Sequence, residues 1–188
     1  MILLWALVIG LAIGFLRHGN LGNLARLKLN GVWLIFVALL VQVLIFPLGP
    51  NGPIVRSGTA ILHLVSYALL IGFIGLNRKR FGILVMGIGL LLNILAISAN
   101  GGYMPASAAA LRHAGMEQTA IALEQELHHG NTVLMSKDTR LNLLGDRFSV
   151  PATVPLATAF SIGDILLALG VIIFLATEMP RGKESSSG

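Results

Sequence analysis

The chain has 188 residues, of which 55% are hydrophobic and 11% charged, and its mean hydropathy is +0.84. Soluble domains carry about 25% charged residues, so this composition predicts an integral membrane protein. The absence of cysteine excludes disulfides, thiolate nucleophiles and cysteine-based metal sites. The formal charge of +5 is spread between apolar segments rather than gathered in one patch, which argues against nucleic-acid binding.

Apolar segments predict five transmembrane helices. They cover residues 2–16, 32–48, 59–76, 81–99 and 159–176. The first segment has no basic residues before it and is followed by Arg17, so we expect a retained helix, not a cleaved signal peptide. Residues 49–53 predict a turn. The predicted fold class is an all-α membrane protein, with one transmembrane domain over residues 1–183 and a disordered polar tail at 184–188.

The basic residues predict the orientation of the chain. Short segments on one side of the predicted membrane carry Arg17, Arg26, Lys28, Arg78, Lys79, Arg80, Arg181 and Lys183. The other side carries Arg56 and the basic residues of the long loop 100–158, which count less in the positive-inside rule. We therefore expect a multi-pass protein of the cell membrane with its N-terminus outside, its C-terminus inside and loop 100–158 extracytoplasmic.

Loop 100–158 has the patterns of an ordered cap. Residues 107–114 and 116–127 predict short helices, and residues 132–135 and 147–150 are β-like runs. A connection of this length in a compact chain is usually functional or disordered, and this mixture favours an ordered structure on the outer face.

Polar side chains within the apolar segments fall mainly toward the outer side. They include His63, Asn93 and, at the start of the last segment, Ser161 and Asp164. An ionised carboxylate costs about 2.5–3.5 kcal/mol near the centre of a membrane helix and less toward its ends. One interpretation of Asp164 is structural: it pairs with His63 or an arginine, or lies at a helix N-terminus that Ser161 caps. The other is that Asp164 forms the floor of an outward-facing polar pocket.

Two aspartates, Asp146 and Asp164, follow each other closely on the predicted outer side. Two carboxylates that share a site do not both ionise easily, so one keeps a proton. Such a pair supplies a base that activates water and an acid that protonates a leaving amine. The pair therefore predicts an aspartyl hydrolase.

The sequence Phe160-Ser161-Ile162-Gly163-Asp164 resembles the start of the last helix in bacterial lipoprotein signal peptidases, where the pattern is Phe-Asn-Val-Ala-Asp. Those proteins are intramembrane aspartic peptidases. The resemblance implies that Asp164 is catalytic and that Asp146, upstream on the same side, is its partner. It covers about 20 residues.

Over nearly its full length the chain resembles a family of small bacterial integral membrane proteins of unknown function. The resemblance is carried by residues 100–105, by residues 138–141 with 144–146, and by residues 161–164. It implies an architecture and no activity.

Other polar groups are candidates for binding. Asn100-Gly101-Gly102 is typical of a helix stop, and it is also a candidate for binding a polar group beside Asp164. Arg140 is a candidate to pair with Asp146 or to bind a substrate phosphate.

The histidines and carboxylates of residues 113–138 do not form a recognisable metal motif. They are His113, Glu117, Glu126, His128, His129 and Asp138. No His-Glu-x-x-His pattern is present, so we predict solvated side chains, no metal and no other cofactor.

The sequence leaves three functions open. The first is a hydrolase acting on a membrane-associated peptide or lipid-linked substrate, with Asp146 and Asp164 catalytic. The substrate-binding set is then His63, Asn93, Asn100, Gly101, Gly102, Arg140 and Ser161. The second is a transporter or binding protein for a small solute or lipid, and the third is a structural or interaction protein. Membrane lipid is the expected partner in each case.

Overall fold

The computed structural model describes residues 2–45, 54–55 and 58–180, and this part of the chain is mostly helical. The helices are α1 (Ile2–Leu16), α2 (Leu21–Ala25), α3 (Val32–Ile45), α4 (Thr59–Leu76), α5 (Phe81–Ala99), α6 (Ala108–His113), α7 (Glu117–Glu126) and α8 (Ile162–Glu178). The strands are β1 (Met104–Ala106), β2 (His128–His129), β3 (Thr132–Leu134), β4 (Phe148–Ser149) and β5 (Ala159–Phe160). The predicted turn at 49–53, the end of the second apolar segment and the tail at 184–188 lie outside the described residues.

The apolar segments predicted helix boundaries well. Helices α1, α4 and α5 begin and end where the sequence predicts, and α3 begins at Val32 as expected. Helix α8 begins at Ile162, three residues later than predicted, because Ala159 and Phe160 pair with β4 as a strand.

Helix length confirms only part of the membrane prediction. Among the described helices, only α5 is both long and apolar enough to span a membrane, while α1, α3 and Ile61–Leu76 of α4 are apolar but shorter. Five transmembrane helices are thus not established by length and composition.

The long helices pack in the order α1, α8, α5, α4, α3, so the last helix lies between α1 and α5. Glycines allow the close approach of α8 to α5. A Cβ atom added at Gly89 would lie 2.4 Å from the carbonyl oxygen of Gly163, and one added at Gly163 would lie 2.0 Å from Asn93 Oδ1. On the other side, Gly10 and Gly14 of α1 contact Leu175 and Met179, as expected of a small-residue pair.

The two ends of the helix layer can be told apart by hydrogen bonds between residues that are distant in the sequence. At one end, which we call the cap end, the Trp5 indole donates a hydrogen bond to the Pro155 carbonyl (3.1 Å). At the other, which we call the basic end, Arg17 donates to the Ala176 carbonyl (2.7 Å). Helices α1, α4 and α8 run from the cap end to the basic end, whereas α3 and α5 run in the opposite direction.

The cap, between α5 and α8, has its own small core. The order of strands in its larger sheet is β1-β3-β2, and β4 pairs with β5 in a second sheet. Ala106, Leu111, Ala120 and Leu123 form a buried apolar cluster beneath α6 and α7. The helices and β-like runs predicted for this region are present, so the molecule is mostly helical rather than all-α.

Candidate functional site

Asp164 lies in the first turn of α8, where it forms a capping box with Ser161. The Asp164 backbone N–H donates to Ser161 Oγ (3.0 Å), and the Ser161 backbone N–H donates to Asp164 Oδ2 (3.0 Å). Ser161 is fully buried and has the extended backbone of an N-cap residue. The predicted capping role of Ser161 is confirmed, and the helix dipole favours a negative charge at this position.

Asn93 connects this turn to α5. Its Nδ2 group donates to Asp164 Oδ1 (2.9 Å), and its Oδ1 atom accepts from the Ser161 hydroxyl (2.8 Å). Asn93 is 4% exposed, and Gly163 leaves the space that its amide occupies. The Asp164 carboxylate is therefore held by two neutral donors, and no lysine or arginine of the described chain forms an ion pair with it.

Asp146 approaches the same region from the cap. Its backbone bonds to β1: its N–H donates to the Pro105 carbonyl (2.8 Å), and its carbonyl accepts from the Ser107 N–H (3.0 Å). Burial, followed by repulsion from Asp164, raises the pKa of the Asp146 carboxyl to about 7. The two predicted carboxyl groups thus interact electrostatically, and both burial and this repulsion favour the protonated form of Asp146.

A cavity of about 280 Å³ opens beside Asp146 within the cap. Its polar lining includes Thr119, Asn131, Thr132 and Thr158, and its apolar lining includes Leu111. Side-chain hydroxyls next to the Asp146 carboxyl suit a ligand with polar atoms, and the space accommodates a group of side-chain size.

His63 and Gly102 lie together at the cap end. The buried His63 ring hydrogen-bonds to the backbone of Gly102 and packs against Tyr67, with ring centroids 4.8 Å apart. Gly101 and Gly102 have φ values of +68° and +98°, so they form the helix stop that the sequence predicted. Tyr67 interacts electrostatically with both Asp164 and Asp146.

Asn100 holds the cap against α5. Its amide donates to the carbonyl groups of Ala96 (2.7 Å) and Arg140 (2.8 Å), and its Oδ1 atom accepts from the Arg140 N–H (2.8 Å). Its polar atoms are thus engaged with backbone. The Arg140 side chain is exposed, and the expected ion pair between Arg140 and Asp146 is not formed among the described residues.

A family model for a family of unknown function, DUF5317, matches residues 26–176. The chain belongs to the DUF5317 family. It is also similar to an uncharacterized protein of Thermotoga maritima, with 29% identity over 165 residues that cover 87% of this chain and 83% of the relative. No solved structure matches the chain.

The DUF5317 match spans both carboxyl groups and confirms the family-level prediction. It lends no support to the local likeness of residues 160–164 to lipoprotein signal peptidases, and neither does the Thermotoga relative.

Some residues around the two carboxyl groups were not in the set predicted from the sequence. Tyr67 was absent from it, although its position one turn after His63 in the same apolar segment was a usable signal. Thr119 and Thr158 were missed because they are distant in sequence and only the cap fold brings them to Asp146.

Several acidic and histidine side chains of the cap have partners away from the two aspartates. Arg112 pairs with Glu117 (3.1 Å) and with Glu124 (2.7 Å), and its hydrogen bonds lower the pKa of the Glu124 carboxyl. His113 Nδ1 is hydrogen-bonded to Ser149 Oγ (2.8 Å). Within the described ranges, no group of three or more His, Asp or Glu residues has the geometry of a metal site.

Proposed function

We propose that the chain is a multi-pass membrane protein whose five long helices lie within the bilayer. Large apolar side chains on the outside of the helix layer support this, among them Trp33 (63% exposed), Phe36 (67%), Ile61 (69%) and Phe81 (66%). Soluble monomers rarely expose apolar surface on this scale. Helix α1, at 15 residues, is about 22 Å long, so its position requires local thinning of the bilayer or help from flanking residues.

The proposed orientation puts the cap outside and the basic end inside. The alternating directions of α1, α3, α4, α5 and α8 are those that five successive crossings require. Arg17, Arg78, Lys79 and Arg80 then lie together on the inner side, in agreement with the positive-inside rule.

We further propose that the site at the cap end is an aspartyl hydrolase. The observation that carries this proposal is the electrostatic coupling of Asp146 with Asp164, in a site where neither carboxyl has a lysine or arginine partner among the described residues. Ionisable side chains within membrane helices are rare, and they commonly mark a functional site. Two unpaired acids that share a site provide one proton and one negative charge, the starting state for acid–base hydrolysis.

The roles of the two acids follow from their surroundings. Asp164, held as an acceptor by Asn93 and Ser161, takes a proton from water while the water oxygen attacks the substrate carbonyl carbon. Asp146 donates its proton to the leaving amine nitrogen as the C–N bond breaks. The products are a carboxylic acid and an amine, one water is consumed, and a proton returned from Asp164 to Asp146 restores the pair.

The proposed substrate is a membrane-associated peptide or a lipid-linked molecule. The reacting groups lie at the start of α8, where the helix layer meets the cap, and the cavity beside Asp146 offers room for a polar substituent. A carrier is less well supported because close contacts fill the basic half of the layer, such as that of Gly82 with Phe174.

The test of the hydrolase uses purified full-length protein in lipid vesicles. One set of probes consists of peptides with a single membrane-spanning segment and a fluorophore–quencher pair across its outer boundary. A second set carries a diacylglyceryl group on the peptide. We expect cleavage of one set by the wild type and at least a 10³-fold loss in Asp146→Asn and in Asp164→Asn, each still folded. Equal cleavage by wild type and both variants would overturn the proposal, as would no cleavage of either set.

A second measurement needs no substrate. Infrared titration of the protonated carboxyl band of Asp146 should give a lower midpoint in Asp164→Asn than in the wild type, because a repelling charge has been removed. Glu126→Gln, which removes an exposed acid of the cap, is the matched control and should leave the midpoint unchanged. An unchanged midpoint in Asp164→Asn contradicts a shared site.

A further inference from the structure

A second cavity lies at the opposite end of the molecule, away from the carboxyl pair. It has a volume of about 650 Å³ and is lined by the loop before α3 and the turn between α4 and α5. Its charged lining is Lys28, Arg78, Lys79 and Arg80, and no acidic residue of the described ranges lines it. Its volume falls within the range of about 300–1,000 Å³ that is usual for ligand sites.

Hydrogen bonds of the Asn77 side chain fix the wall of this cavity. The Asn30 N–H donates to Asn77 Oδ1 (3.0 Å), and Asn77 Nδ2 donates to the carbonyls of Asn30 (2.8 Å) and Phe73 (2.8 Å). Asn77 is only 6% exposed, so a buried side chain holds the loop before α3 against the turn between α4 and α5.

The charges of the cavity are only partly neutralised. Arg80 pairs with the buried carboxylate of Glu178, whereas Lys28, Arg78 and Lys79 form no ion pair within the described part of the chain. Arg80 is also the N-cap residue of α5, which has no side-chain cap, so the positive end of the helix dipole adds to the field.

We propose that this cavity binds a phosphate group, and specifically the phosphodiester headgroup of an anionic membrane lipid. Guanidinium and ammonium groups with a helix N-terminus are the donors that phosphate oxygens prefer. The lipid source rests on the proposed membrane orientation, which puts the cavity at the inner headgroup level; the phosphate chemistry does not depend on it. The site is independent of the proposed hydrolysis.

The test uses full-length protein in a neutral detergent, with three probes: short-chain phosphatidylglycerol, short-chain phosphatidylcholine and inorganic phosphate. Binding is measured by calorimetry. We expect phosphatidylglycerol to bind more tightly than phosphatidylcholine. Lys79→Gln should weaken phosphatidylglycerol binding about fivefold, and the double variant Arg78→Gln/Lys79→Gln about 25-fold, as each basic residue near an anionic surface contributes about 1 kcal/mol.

Lys137→Gln is the matched control, since it removes one exposed lysine from the cap and should leave the affinity unchanged. Inorganic phosphate binding as tightly as phosphatidylglycerol, with the same loss in the variants, would support the phosphate site and overturn its assignment to lipid. Equal affinity for the two lipids without phosphate binding, or retention of wild-type affinity in the double variant, would overturn the site itself. Because these variants leave Asp146 and Asp164 in place, failure here is distinguishable from failure of the hydrolase.

Discussion

Helix α8 carries an acidic side chain at each end, and the structure holds the two carboxylates in different ways. At the basic end, Glu178 is buried and pairs with Arg80, so its charge is neutralised by a cation. At the cap end, Asp164 accepts hydrogen bonds from Asn93 and Ser161, which carry no charge, and it faces another acid, Asp146. The first carboxylate is bound to a cation, whereas the second is held by neutral donors and raises the pKa of a neighbouring acid.

The largest expected difference between the two acids is in turnover. Asp164→Asn should lower kcat at least 10³-fold on a cleaved probe, because the amide cannot take a proton from water. Glu178→Gln should retain kcat within about twofold when rates are normalised to folded protein. Rates of peptide cleavage in vesicles measure both variants. Comparable losses in the two variants would remove the functional distinction between the ends of α8.

For the free energy of unfolding, we expect the larger loss in Glu178→Gln and the smaller one in Asp164→Asn. Glu178→Gln should lower the free energy of unfolding by about 3 kcal/mol, because Arg80 loses its charged partner in a largely buried place. Asp164→Asn should cost about 1 kcal/mol, since a flip of the Asn93 amide restores hydrogen bonds to the new side chain. Denaturant titration in mixed micelles provides the comparison, with the exposed Glu126→Gln as a control expected to change stability by less than about 0.5 kcal/mol. A greater loss in Asp164→Asn would show that its carboxylate is mainly structural.

The pH dependence of stability should come from the cap end. The folded-state pKa of Asp146, about 7, lies above the ordinary aspartate value, so the folded protein binds the extra proton between about pH 4 and pH 7. The contribution of this group is therefore most favourable at low pH and is lost as pH rises through 7, with a slope of at most about 1.4 kcal/mol per pH unit. Subtracting the unfolding curve of Asp146→Asn isolates this slope. Its persistence in that variant would assign it to another group, and Glu178→Gln should leave it intact.

A smaller loss of stability is expected when Ser161, the residue that orients Asp164, is replaced. Ser161→Ala removes the N-cap oxygen of α8 and the donor to Asn93, and should cost about 1 kcal/mol. Ser161→Thr restores the hydroxyl and is the conservative comparison. Thermal unfolding of both variants tests the point; equal stability of Ser161→Ala and wild type would show that the capping box contributes nothing measurable.

The long helices and the cap at the start of α8 could be predicted because they are local properties of the sequence. Apolar runs set the bounds of α1, α4 and α5, and Ser161 with Asp164 has the spacing of an N-terminal cap. The place of α8 could not be predicted, since a uniformly apolar helix does not specify its neighbours. The fit of Gly89 against Gly163 decides it, and that fit appears only when both helices are present.

Contacts between distant parts of the chain account for the remaining differences. Asn100 was a candidate for binding a polar group beside Asp164, and in the structure its amide bonds to the Arg140 backbone, 40 residues later. Arg80 was expected only as an inner-side positive charge, and it also pairs with Glu178, 98 residues away. Sequence spacing gives no information on either pair, because part of the cap separates Asn100 from Arg140 and the whole cap separates Arg80 from Glu178.

The position of α8 has a consequence for biosynthesis. This helix is made last among the long helices, yet it lies inside the layer, with α1 on one side and α5 on the other. Before α8 is synthesised, the glycine faces of α1 and α5 lack the helix that they pack against. The Asn93 amide also lacks the Asp164 carboxylate to which it donates. The packing between α1 and α5 is therefore completed only after the cap and α8 have been synthesised. Asp146 and Asp164 come together only when α8 packs between these two helices, so their interaction forms in the last step of assembly of the helix layer.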